Sequence, residues 1–267
     1  MKAICFLATL LIFSASGFAQ HPLVGTWEMI SGKGINAEGE KFSFDTTSVR
    51  EIKIITPTHY MLIAFNVSGD SISFNRTLAG TVRLEGDRYF ENPMHASVEI
   101  FPKLKVDFKW RLSGVKFIQS GTVVRPDGKT IVLEDLVFRK VTSAKPQSKN
   151  PAIGTWSQIS SFHTSASDGK KISDFNPMDT RFLIVTPTHW MRMDLKNKKF
   201  ESARYGTYSI ESDQIQASVE YASVPFKKGD KHTFTQKTQG DLMHTTYQGQ
   251  TTEGKDVYES TFKKINQ

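Results

Sequence analysis

Gly25-Thr26-Trp27 and Gly154-Thr155-Trp156 decide how this chain is read. They are one motif written twice, 129 positions apart. Thr56-Pro57-Thr58-His59, followed by an aromatic residue and Met61, returns as Thr186-Pro187-Thr188-His189-Trp190-Met191, 130 positions on. Gly80-Thr81 returns as Gly206-Thr207, Ala96-Ser97-Val98-Glu99 as Ala217-Ser218-Val219-Glu220, and Phe138-Arg139-Lys140-Val141 as Phe262-Lys263-Lys264-Ile265. The order is kept and the spacing drifts slowly, as insertions and deletions in loops would make it. Each unit is roughly 115–120 residues, the size of a domain and not of a solenoid repeat.

The units are expected at 20–141 and 152–267. They are joined at 142–151 by a polar stretch with two prolines and no large apolar side chain, which has the composition of a linker. Residues 1–19 read as a secretory signal: Lys2, an apolar run from Ala3 to Phe13, then Gly17-Phe18-Ala19 at the cleavage position. The run is shorter than the ~20 residues of a membrane span. Position 20 is Gln, where a lipoprotein signal would carry Cys. The only cysteine is Cys5, so the mature chain has neither a disulfide nor a thiolate metal site. The expected location is periplasmic or secreted. The net charge of +7 is spread over dispersed lysines that read as solvated faces. Neither a basic helix nor an RNA-binding motif points to nucleic acid.

Both units read as strand after strand. Val49–Thr56, His59–Phe65, Thr77–Leu84, Arg88–Glu91, Ser97–Phe101, Val106–Leu112, Val115–Val124 and Ile131–Phe138 are separated by turn signals such as Gly69-Asp70 and Pro126-Asp127-Gly128. The polar stretches from Gly32 to Ser48 and from Phe162 to Asp179 read as a loop, a lid or a short helix. A sandwich and an up-and-down barrel both accommodate this pattern, and sequential connections favour the barrel. The expected fold is all-β, with two tandem up-and-down antiparallel barrels of about eight to nine strands each. Gly25 and Gly154 let the chain bend at the barrel base, and Trp27 and Trp156 plug it. A basic residue of the last strand, Arg139 or Lys140 and Lys263 or Lys264, lies across the indole. Arg139 and Lys263 are taken as the closing pair.

The Leu-x-Gly-Thr-Trp opening, the basic residue beside the terminal Phe and about 120 residues of strands resemble the calycin superfamily. The closer resemblance is to lipocalin-like domains of secreted bacterial proteins. It is carried by Ile55-Thr56-Pro57-Thr58-His59-Tyr60, by Val185-Thr186-Pro187-Thr188-His189-Trp190 and by Gly206-Thr207-Tyr208. Tyr89-x-Glu91 fits a further element of that group in the first unit, whereas Ile215 and Ala217 stand there in the second. The resemblance implies two ligand-enclosing barrels that need not take the same ligand.

His59 and Met61 share one strand face and Tyr60 the other; His189 and Met191 share a face opposite Trp190 and Arg192. The histidines either seal a barrel end or contact a ligand. Candidate ligand contacts are His59, Met61, Tyr89, Glu91, His189, Met191, Arg192, Arg204 and Tyr208. Two inward arginines among Arg181, Arg192 and Arg204 would match a carboxylate head group. Glu99 and Glu220 read as mouth residues or cross-strand ion pairs. No metal spacing, nucleophile elbow or dinucleotide fingerprint occurs, so neither catalytic residues, a metal nor a cofactor is assigned. The expected function is binding of a small apolar or amphipathic ligand in a barrel interior. The alternatives are an envelope interaction module with filled barrels and an enzyme using His59 or His189 as general base.

Overall fold

The computed structural model describes residues 21–142, 144–252 and 254–265. The expected signal segment lies outside the described residues. Among the described residues eighteen strands run in sequence. The first nine are β1 Gly25–Ile35, β2 Lys41–Asp45, β3 Val49–Ile55, β4 His59–Ser68, β5 Ser71–Glu85, β6 Arg88–Ala96, β7 Lys105–Ser113, β8 Lys116–Val124 and β9 Thr130–Lys140. The second set is β10 Gly154–Thr164, β11 Lys171–Ser173, β12 Thr180–Val185, β13 His189–Lys196, β14 Lys199–Glu211, β15 Gln214–Ala222, β16 Lys231–Gln239, β17 Leu242–Thr251 and β18 Gly254–Lys264. Among the described residues the only helical segment is the 3-10 turn Phe101–Lys103.

Each set forms an antiparallel meander that closes when its first strand pairs with its last, β1 with β9 and β10 with β18. The result is two eight-stranded barrels, each with one extra strand (β2, β11) hairpinned onto the upper half of its first strand. The polar stretches that could have been loops or lids therefore hold these short strands. Gly25 and Gly154 have φ of +138° and +142°, a left-handed region that favours glycine at the strand entry. Trp27 and Trp156 are buried, and each donates its indole N–H at 2.7 Å to the carbonyl four residues back, of Leu23 and Ala152.

The cation over each indole is Lys140 or Lys264, 5.5 Å from the ring in both barrels. Arg139 and Lys263 are one position out of phase, opposite Glu28 and Ser157, and Arg139 binds the Glu28 carboxylate at 2.7 Å. The closing pair taken from the sequence is thus displaced by one residue, which in a pleated strand changes the face.

Two further expectations are corrected. Ser97–Phe101 is not a strand: Ser97 turns the chain by accepting the Thr77 N–H on its hydroxyl while donating its own N–H to the Thr77 carbonyl. The same pair of bonds joins Ser223 to Ala203. Ala96-Ser97-Val98 therefore corresponds to Ala222-Ser223-Val224, as the ladder also shows, with Ala96 opposite Leu78 and Ala222 opposite Arg204. The match to Ala217-Ser218-Val219-Glu220 was a coincidence of short identity. Glu99 and Glu220 are not equivalent positions.

The barrels share a third core between them. Ile52, Ile54, Met61, Ile63 and Phe65 of the first pack against Phe182, Ile184, Met191, Met193 and Tyr205 of the second. Phe74 stacks on Phe200 at 5.3 Å, and Phe65 meets Tyr221 at 5.3 Å. The contact is reciprocal. Thr56 Oγ1 lies 3.3 Å from Thr155 Oγ1, and Thr26 Oγ1 lies 3.5 Å from Thr186 Oγ1. The threonine of each Gly-Thr-Trp thus meets the first threonine of the other unit's Thr-Pro-Thr-His, as across a local two-fold axis.

Candidate functional site: the interior of the second barrel

Pleating sends alternate residues of each strand to opposite faces, so His59 and Met61 cannot line the same space as Tyr60. Tyr60 and Leu62 enter the first barrel; His59, Met61, His189 and Met191 face the other barrel. In each Thr-Pro-Thr-His turn the first threonine hydroxyl both accepts the histidine N–H and donates to its carbonyl, at 3.0–3.1 Å. The second threonine holds histidine Nδ1 at 2.7 Å. Burial pushes both histidines below their usual range, His189 to about 4. The two rings are neutral packing elements of the interface at neutral pH.

Tyr89 and Glu91 do enter the first barrel, but its interior is occupied. Lys53 Nζ binds Glu91 Oε1 at 2.8 Å and Gln119 Oε1 at 3.3 Å. The ammonium lies 5.1–6.0 Å from the rings of Tyr60, Tyr89 and Phe138. Trp27, Phe108 and Phe117 fill the space around it.

The second barrel is built differently on the same register. It contains a cavity of about 380 Å³. Its base is apolar, from Val185, Ile215, Met243 and Phe262, and these pack in one core with Trp156. Tyr208 closes that end by donating to the Thr186 carbonyl at 2.7 Å and accepting from Asn150 Nδ2 at 3.1 Å. Arg181, Arg192 and Arg204 line the wall above, and among the described residues the lining contains neither Asp nor Glu.

Arg192 and Arg204 are direct cross-strand partners on β13 and β14. Like charges so placed destabilise a sheet unless a counter-charge intervenes. Asp194 does this in part, bonded by Arg192 and Arg181 at 2.8 Å each and by the Ser202 hydroxyl at 2.9 Å. Burial pushes the Asp194 carboxyl up, but these two guanidiniums outweigh it and hold it below its usual range. Arg192 is pushed down to about 10 by burial, with Arg181 and Arg204 adding to the effect, and it remains charged at neutral pH. Its Nε is buried without a hydrogen-bond partner, and Arg204 has no ion-pair partner among the described residues. In the first barrel the corresponding cross-strand pair is Leu62 and Leu78.

Of the candidates read from sequence, Arg192, Arg204 and Tyr208 come together in this cavity. Arg181 joins them; Trp190 and His232 of the lining, and Asp194 beside it as the counter-ion of Arg181 and Arg192, were missed. Parity could have found two of these, since Trp190, Arg192 and Asp194 alternate along one strand. Met191 could not belong to the same face. Among the described residues there is no cluster of three or more His, Cys, Asp or Glu suited to a metal ion. No described helix is long and apolar enough to cross a membrane, which says nothing about strands.

No family model matches the chain, and no curated protein matches it. Solved structures resemble it only weakly. A protein of unknown function from the DUF3598 family of Nostoc punctiforme is 11% identical over 91% of this chain and 97% of that one, with a TM-score of 0.26. Isotype 1 transferrin binding protein B from serogroup B Neisseria meningitidis is 8% identical over 90% and 76%, with a TM-score of 0.28. Kievitone hydratase from Nectria haematococca is 9% identical over 97% and 94%, with a TM-score of 0.25. At such values nothing about activity or partners passes to this chain.

Proposed function

We propose that this is an exported, lipocalin-like binding protein whose second barrel takes one small amphipathic anion. The observation that carries the reading is the opposed pair Arg192 and Arg204, inside a cavity whose described lining holds no carboxylate and whose base is apolar. An acidic head group would occupy the position between the guanidiniums, where bidentate hydrogen bonds fit a carboxylate or phosphate. The apolar part would descend toward Val185, Met243 and Phe262, gaining roughly 25 cal/mol for each Å² removed from water. A volume of about 380 Å³ suits a single small molecule. The first barrel, filled by its own side chains, would act as the support against which the second is held. Export rests on the signal-like residues 1–19.

Native mass spectrometry of protein purified from its own host tests this. The expected spectrum carries a bound mass that is lost in Arg192→Gln/Arg204→Gln protein with an unimpaired melting temperature. A ligand-free wild-type spectrum, together with no thermal shift from any of a panel of alkyl and aryl anions, would refute the reading.

A further inference from the structure

We infer that the ligand of the second barrel is a planar aromatic anion and not a flexible alkyl one, an inference that rests on the binding reading above. The wall facing the arginines is a continuous arc of rings. His232 on β16 meets Tyr247 on β17 edge-on at 6.3 Å. Tyr247 lies 5.9 Å from Tyr258 on β18. Tyr258 stacks on His163 of β10 at 4.7 Å with an interplanar angle of 12°. His232, Tyr247 and Tyr258 line the same cavity as the arginines.

In the circular strand order, β17 stands four strands from β13, and β18 four strands from β14. In an eight-stranded barrel four strands is half a turn, so the tyrosines face Arg192 and Arg204 across the interior. Tyr247 and Tyr258 leave 39% and 37% of their surface uncovered, so they can offer ring area to an occupant.

The arc is fixed in advance. Asp256 binds His163 Nε2 at 2.9 Å and the Ala166 N–H at 2.9 Å, which pins the ring on which Tyr258 stacks. Such rigidity lowers the entropy cost of binding. Nor does the fold require the rings. In the first barrel the register positions of His163, Tyr258 and Tyr247 are held by Gly34, Leu133 and Gly121. The second barrel thus differs from the first on both walls together, with guanidiniums on one and aromatic faces on the other. A flat aryl group lying along the tyrosines, with its acidic substituent directed at Arg192 and Arg204, satisfies both walls. Aromatic faces gain from stacking beyond the area they bury, whereas an alkyl chain gains only the area.

The test compares 2-naphthoate with decanoate, two carboxylates of similar size, by isothermal titration calorimetry on the full chain. The expected result is that naphthoate binds about tenfold more tightly. Tyr258→Leu and Tyr247→Leu should reduce that preference several-fold, and Tyr258→Phe, which keeps the ring, should retain it. Equal or tighter binding of decanoate overturns the inference and leaves the cavity reading standing. So does a naphthoate preference that survives both leucine variants. If neither carboxylate binds wild-type protein, the binding reading itself has failed and the inference falls with it.

Discussion

Acid should loosen the joint between the barrels, and His189 allows the size of the effect to be worked out. Its ring is fully buried, stacked on Tyr205 at 5.4 Å, with Nδ1 held by Thr188 and Nε2 without a hydrogen-bond partner. Burial pushes its pKa to about 4 from 6.5. Above pH 6.5 the ring is neutral in folded and unfolded chains alike, and its contribution is intact. Between 6.5 and 4 only the unfolded chain takes up the proton, so stability falls as pH falls through this window. The loss is about 2–3 kcal/mol at pH 4.5 and about 3 kcal/mol in the limit. That is a large share of a typical domain stability of 5–15 kcal/mol. Urea unfolding followed by tryptophan fluorescence, at about pH 7.5 and about pH 4.5, measures it. His189→Gln will cost stability at both pH values, but the difference between them should shrink by about 2–3 kcal/mol relative to wild type. His59 is shifted in the same direction and is present in both proteins, so it cancels to first order. Identical pH dependence in the two proteins would refute the buried, neutral ring.

Two other substitutions probe the fold directly. Lys53→Met leaves Glu91 buried and unpaired and should cost about 3–5 kcal/mol by chemical denaturation, whereas Lys53→Met/Glu91→Leu should recover most of the loss; an additive double variant would contradict the pairing. Gly206→Ala places a methyl group on the Ser218 carbonyl oxygen, and Gly80→Ala places one on that of Asn92. Each should lower stability by about 3 kcal/mol, and a neutral effect in a thermal melt would mean that the two strands are not so close at these points.

The fold was legible in the sequence because it depends on local signals. Glycine at the strand entry, tryptophan four residues after a free carbonyl, β-branched runs and tight turns each act within a few residues, and a duplicated order of them implies two copies of one meander. Alternation also separated His189 and Met191 from Trp190 and Arg192. What it could not supply was which face is inside. All of His59–Phe65 is buried, because one face meets a barrel interior and the other meets the second barrel. A strand covered on both sides loses the polar face that would mark its outside. The motif retained most fully in both units, Thr-Pro-Thr-His, therefore looked like a site and proved to be the joint. The cavity depended on information farther still from local sequence. Arg192 and Arg204 become neighbours only through strand register, and Tyr247 and Tyr258 come to face them only because the sheet curls through half a turn. Charge and ring positions are written in the chain, but the tertiary closure decides that they share one enclosed space.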